Sequence, residues 1–382
     1  MLLISHTRPR IFRLAAIGVI FFFAVDSAVT CPFCAKMTRT LVDEVREADA
    51  VVYGKLERVS STRARLDHEI VVRPALESSS WDIKITLAPD RIPQRQIVFL
   101  QRLQDTWVAQ RLDTVSPAVA EYLCEVWQAQ DQPPAHRLEY FYSKLDSPEP
   151  RIATDAYGEF ARASYRATKQ AAHAYESARI RRWIEDPQTP SERVGLFGLM
   201  LGLAGQSSDR DFLDEVIHDP TEGQRNGLDG LLAGLYLLDP SHGESMIVEL
   251  LRRQDSSSLQ KASALAALRF IMADSPPADP GSMLRAVLPA LDDQACAGQL
   301  IDEFRKAQIW DIGPEVVARF QKLRDPSAIV RFALMSPEPQ AKAFIAHLEE
   351  VSPASVADAR QSLQFEANAR GLDLRRTESA RP

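Results

Sequence analysis

Arg193 to Gly205 reads RVGLFGLMLGLAG, and two later stretches answer it: NGLDGLLAGLYLLDP from Asn226 and KASALAALRFIMAD from Lys261. Successive starts lie 33 and 35 residues apart, as the numbering shows. Each stretch is apolar nearly all round, so each belongs inside a stack and not on its surface. Recurrence at this period with two helices per unit is the mark of an α-solenoid, in which a helix pair hides its apolar face only against its neighbours. The array is read as HEAT-like. Gly195, Gly198 and Gly202 stand three and four apart, and Gly227, Gly230 and Gly234 repeat the pattern. A helical glycine costs about 1 kcal/mol relative to alanine. Six of them predict two helix backbones in close approach.

Working outward, helices follow one another from Arg137 to Ala369. Their breaks carry Asp186-Pro187, Asp219-Pro220, Asp239-Pro240 and Asp325-Pro326. Tyr165 to Glu185 and Gly223 to Leu238 each read as one helix. Ser116 is expected to cap a helix with Pro117 at its first position, and Gln128 to Ala135, with Pro133-Pro134, is the linker.

Upstream the period changes. AVVYGKLERVS from Ala50 is rich in β-branched residues, and the interior Gly54 predicts a bulge or bend. Further apolar segments at 68–73, 81–87, 96–103 and 106–111 make five short strands, expected to close into a small barrel of the oligonucleotide/oligosaccharide-binding (OB) shape. Cys31 to Ala50 predicts one amphipathic helix ahead of the first strand. The fold class is therefore α+β: a β-rich module over 31–128, a helical-repeat domain over 129–372, and a disordered tail over 373–382.

The first 30 residues form a different segment. Arg8, Arg10 and Arg13 precede an uncharged apolar run from Leu14 to Val25, followed by Ser27 and Ala28, which is the pattern of a secretory signal peptide. The run is shorter than the roughly 20 residues a bilayer span needs, so no integral span is expected in the mature chain. Thr30 departs from the small residue that precedes a lipoprotein cysteine. An exported destination follows: periplasm, cell envelope or medium. The whole chain carries −7; the leader, three arginines against one aspartate, contributes +2, which leaves the mature chain near −9. Such a surface disfavours nucleic acid and anionic lipid as partners.

Cys31-Pro32-Phe33-Cys34 is the one local motif with chemical content. Two sulfurs at this spacing can form a reversible bond, and a helix starting here would lower the first thiol's pKa. In an exported chain a bond between Cys31 and Cys34, or from either to Cys124, is the ordinary expectation, with Cys296 a buried free thiol. No metal centre is expected, since a C-x-x-C supplies two ligands and His68 and Cys124 are remote in sequence. Asp67-His68-Glu69 and the mid-helix His173 complete the candidates, and the Asp155/Glu159 pair at helical spacing reads as a solvated face or as an ion-pair partner of arginines such as Arg151 and Arg162. No G-x-S-x-G, phosphate loop, H-E-x-x-H or dinucleotide fingerprint is present. No catalytic residue and no cofactor is assigned.

Three resemblances bear on function. TCPFCAKMTRTL is similar to the active-site segment of glutaredoxins, which implies a thiol–disulfide oxidoreductase with Cys31 as nucleophile and Cys34 as resolving thiol. A cysteine-rich start followed by ADAVVYGKLERV resembles the netrin-like module of metalloproteinase inhibitors, in which a terminal cysteine binds a protease zinc. The CPFC start with TLVDEVREADAVVYGKL, together with RIATDAYGEFARASY, RVGLFGLMLGLAG and GLDGLLAGLYLLDP, resembles a group of exported proteins of planctomycete-type bacteria with no assigned activity. That last resemblance implies a HEAT-like region behind a small β-module. The leading expectation is a non-enzymatic envelope protein that binds a protein partner through its helical surface.

Overall fold

A computed structural model describes residues 31, 33–34, 39–73, 80–85 and 95–369. The expected leader and the expected tail over 373–382 lie outside them. Helix α1 (Leu41–Glu47) leads into five strands: β1 (Ala50–Arg58), β2 (Arg63–Arg73), β3 (Ser80–Lys84), β4 (Arg95–Leu103) and β5 (Thr106–Asp113). They close in the order β1-β2-β3-β5-β4, with β4 returning to β1. All pairings are antiparallel except β3 with β5, which meet in parallel at Lys84 and Val108.

Alternation explains why this small barrel holds. Ala50, Val52, Leu56, Leu66, Ile83, Val98 and Leu100 point inward and form a core of their own. Val51, Tyr53, Val72, Ile97 and Phe99 point outward and join the main core with the helices. The uninterrupted apolar run at Ala50–Tyr53 thus records a strand covered on both faces. Gly54 sits at a register shift, and a Cβ there would stand 2.6 Å from the His68 Cα of the neighbouring strand. The expected bulge is where the sequence put it, whereas β2 begins five residues earlier than its apolar content suggested.

Seventeen further α-helices follow among the described residues: α2 (Pro117–Gln128), α3 (Pro134–Lys144), α4 (Pro150–Arg162), α5 (Tyr165–Gln170), α6 (Ser177–Glu185), α7 (Ser191–Ala204), α8 (Ser207–His218), α9 (Glu222–Arg225), α10 (Leu228–Leu238), α11 (Pro240–Arg252), α12 (Ser258–Asp274), α13 (Pro280–Ala286), α14 (Ala297–Lys306), α15 (Gly313–Val317), α16 (Ser327–Met335), α17 (Pro339–Val351) and α18 (Pro353–Ala369). Inner helices pack in sequence: α7 on α10, α10 on α12, α12 on α14, α14 on α16, and α16 on α18. Among the described residues no helix is long and apolar enough to cross a membrane.

The glycine reading holds in detail. A Cβ built on Gly198 would lie 2.7 Å from the Gly230 carbonyl group, and one on Gly202 would strike the Gly234 backbone. Helices α7 and α10 therefore touch backbone to backbone, a contact no other residue type permits. Gly227 also breaks the single helix expected over 223–238, because it lies against Gly195 and Val194. The helix expected over 165–185 is likewise divided. There a 3-10 turn over Ala171–Ala174 leads to extended Tyr175, whose hydroxyl donates to the Thr168 carbonyl at 2.8 Å, and Glu176 N donates to the Tyr142 hydroxyl at 2.9 Å. These tertiary bonds replace the helical ladder.

Two local expectations change their meaning. Asp239 is a helix cap as well as a break: it accepts from His242 N at 3.1 Å while Pro240 opens α11. Ser116 precedes α2 with Pro117 at the first position, but its hydroxyl donates to Glu149 Oε2 at 2.7 Å and does not cap. The expected linker is a short turn between α2 and α3. One apolar cluster runs from Val51 of the barrel through Val119 of α2 to Phe332 of α16, so packing crosses the expected boundary at residue 128.

Candidate functional site at the amino-terminal junction

Four of the residues that sequence reasoning singled out, Cys31, Cys34, Asp155 and Glu159, lie where the chain's described start meets the helices. Cys31 and Cys34 are joined in a disulfide, with Cα atoms 5.5 Å apart. Cys31 is 8% exposed, and its N–H donates to the Ala161 carbonyl at 3.2 Å, in the last turn of α4. Phe33 is buried and places its ring 5.0 Å from Phe270 of α12, which in turn meets Tyr165 at 4.9 Å. The floor is Gly195 of α7: a Cβ there would come within 2.9 Å of the Phe33 carbonyl oxygen and 3.2 Å of Asp229 Oδ1. Burial pushes the Asp229 carboxyl up to about 6, against the hydrogen bond it accepts from Gly230 N at 2.8 Å. The CPFC loop is therefore a plug set into α7, α10 and α12, and not a tail of the barrel.

This placement bears on the chemistry of the sulfurs. Among the described residues the first helix starts at Leu41, ten positions after Cys31. The nearest backbone partner is instead a carbonyl near the end of α4. The geometry of the inhibitor reading also differs, because the Cys31 N–H and carbonyl are both engaged within the chain, the latter by Cys34 N at 3.5 Å. Cys124 is remote from the pair and donates from Sγ to the Val71 carbonyl at 3.5 Å. Cys296 is a buried free thiol, its pKa pushed by burial up to about 11.

Behind the plug, α1 is seated on α4 by a buried polar cluster. Asp155 is 4% exposed and accepts from Leu41 N at 2.5 Å, from Val42 N and from the Tyr122 hydroxyl at 2.8 Å. Thr40 and Asp43 complete a capping box, so the first three N–H groups of α1 are all satisfied. Glu159 accepts from Thr40 Oγ1 at 2.8 Å and pairs with Arg162 at 2.9 Å; Arg162 also pairs with Asp43. Burial dominates at Asp155 and lifts its carboxyl to about 7, over the opposing hydrogen bonds. At Asp43 burial acts upward too, but the bonds from Arg162 and Thr40 prevail and hold it below the usual range.

The Asp155/Glu159 pair is thus buried, a correction to the solvated-face reading. Arg162 is a partner as expected, while Arg151 pairs with Asp113 at 3.4 Å. The signal was there to be read: both carboxylates fall on the same stripe as Ile152, Ala156 and Phe160, and an acid on an apolar stripe implies a buried partner. His173 is exposed on its 3-10 turn, 3.4 Å from Glu139. His68 lies on β2 opposite Gly54, and Glu69 pairs with Arg95 at 2.8 Å.

The chain matches no family model, no curated protein and no solved structure. Its chemistry must therefore be argued from these residues alone. No group of three or more His, Cys, Asp or Glu side chains able to hold a metal occurs among the described residues. The junction holds hydrogen-bonded carboxylates and a closed disulfide, an arrangement suited to fixing one element on another.

Proposed function

We propose that this protein is an exported, non-enzymatic component of the cell envelope. In this reading its helices form a HEAT-like α-solenoid whose curved face binds another protein, and its barrel is an OB-like module for a second contact. It belongs, on this proposal, with the exported proteins of planctomycete-type bacteria that it resembles.

The observation that carries the reading is a ladder of polar bridges, each reaching about one repeat along the chain. Arg181 meets Asp209 at 3.4 Å, Arg210 meets Asp239 at 3.4 Å, Arg319 meets Asp292 at 2.9 Å and Arg331 meets Asp302 at 2.7 Å, with Lys261 paired to Asp293 between them. Bridges spanning 27 to 32 positions, combined with inner helices that pack each on the next, are what stacked helix pairs produce. The Cys31–Cys34 bond supports an oxidising compartment. The strand order, with β1 shared between β2 and β4 and β3 parallel to β5, supports the OB-like shape.

Mass spectrometry of the mature amino terminus, on protein cross-linked in intact cells and recovered from the envelope fraction, tests this. A start between Ala28 and Cys31, with cross-links from the helical surface to one other envelope protein, is the expected result. An uncut chain in the cytoplasm, or a chain cross-linked to nothing, contradicts it.

A further inference from the structure

Strand β5 breaks its own alternation at one point. Phe99 of β4 pairs with Arg111 and Leu100 pairs with Ala109, so Gln110 is an extra residue with no partner across this ladder. Ala109 and Leu112 both pack into the barrel core, while Gln110 and Arg111, consecutive in sequence, are both exposed on the outer side. An unbroken strand presents successive side chains on opposite faces; a β-bulge puts two on one face, and bulges re-aim side chains beside functional sites.

The residues turned outward line a cavity between this face and α1. Its volume, about 410 Å³, falls within the range of small-ligand sites, about 300 to 1,000 Å³. Gln101, Gln110 and Arg111 line it from the strands together with the Phe99 ring, and Glu44 and Glu47 line it from α1, with Arg39 just ahead of that helix. A second cavity, of about 340 Å³, shares Arg39, Glu44 and Arg111 and extends to Pro150 and Thr154 of α4, so the space is a groove.

The lining selects against charge. Arg39 is paired with Glu44 at 3.8 Å and with Glu47 at 2.5 Å, and Arg111 with Glu44 and with Asp113 at 2.5 Å. A charged ligand enters only by displacing one of these partners. The amides of Gln101 and Gln110 differ: both residues are exposed, and among the described residues neither amide is hydrogen-bonded to the chain. Each offers donor and acceptor side by side, and each guanidinium has more N–H donors than its ion pairs occupy. Neighbouring hydroxyls, which both donate and accept, match that set, and Phe99 with Ala48 supplies apolar contact for a carbon skeleton.

We propose that the groove between α1 and the bulged β4–β5 face binds a neutral saccharide, with Gln101 and Gln110 as its specificity-determining residues. This gives the barrel's second contact a chemical class and rests on that part of the reading above; export and protein binding by the helices are separate from it.

The test is calorimetric titration of the purified full chain with maltotetraose, cellotetraose and the tetramer of N-acetylglucosamine, with glycylglycine as a zwitterionic comparison. Saturable binding of at least one oligosaccharide at millimolar concentration or below is expected, altered less than about twofold by added sodium chloride. Gln101→Ala and Gln110→Ala should each weaken it about fivefold or more and leave Tm unchanged, since both side chains are exposed. No saturable binding of any oligosaccharide overturns the proposal, and so does binding that both variants leave unaltered. Tighter binding of glycylglycine, or a steep loss of affinity with salt, overturns it in favour of a charged ligand. All of these outcomes are read on purified protein, apart from whether the chain is cut, exported or cross-linked in cells.

Discussion

The seam between α7 and α10 and the seat of α1 on α4 both join helices, by opposite means. At the seam, Gly198 and Gly230 bring bare backbones together, and the carboxyl of Asp229 lies at its Gly195 end. At the seat, Asp155, Glu159, Arg162 and Thr40 do the joining, and the CPFC plug closes over the same region. The glycine contact is limited by volume, whereas the seat answers to protons and lies under a disulfide. A molecule that contains both can keep its body rigid while its amino-terminal attachment responds to conditions.

The largest expected effect breaks the seam. Gly198→Ala combined with Gly230→Ala puts two methyl groups where no space exists, and overpacking of this kind should cost about 4 kcal/mol or more. Urea unfolding should show that loss equally at pH 5 and pH 8. A loss that depends on pH would mean the seam is not the volume-limited contact described.

The seat should behave in the opposite way. The folded Asp155 carboxyl, at about 7, lies above its ordinary 3.8, so the folded state holds an extra proton between those values. Its contribution to stability is fully present below about pH 4, is lost as pH rises through 7, and is level beyond. The change is on the order of 4 kcal/mol, and Asp155→Asn should flatten that slope of the unfolding free energy against pH. Asp229 adds a smaller fall in the same direction between 3.8 and about 6. An unaltered slope in Asp155→Asn would show that another group titrates.

Much of this contrast was legible in the residues. The glycine spacing on two apolar helices announced the seam, because only backbone contact repays glycine inside a helix. Five strand segments and the helix order were readable from period and punctuation. The seat was less legible: a stripe of apolar residues says which face is buried but not which distant N–H a buried carboxylate will meet. Asp155 reaches Leu41 across 114 positions of sequence. The division at Tyr175 escaped for the same reason, since its hydroxyl and the Glu176 N–H are held by tertiary partners that no local pattern encodes.

Smaller effects sharpen the comparison further. Opening the four-residue ring by replacing both Cys31 and Cys34 with serine should cost about 2 kcal/mol by loop entropy, read as a shift in urea midpoint. Because Gly195 meets both Phe33 of the plug and Gly230 of the seam, this loss and the seam variant's should be coupled, and strict additivity would mean that plug and seam are independent. At the low end, Arg360→Ala removes an exposed pair with Glu349 and should change stability by no more than about 0.5 kcal/mol.

The reduction potential of the Cys31–Cys34 bond in the purified full-length protein bears most directly on the claim that this junction fastens rather than catalyses. A value below about −300 mV is the prediction, as for a bond that holds structure. A value near −200 mV, with rapid exchange against glutathione, would contradict it and make the CPFC loop a site of thiol–disulfide chemistry.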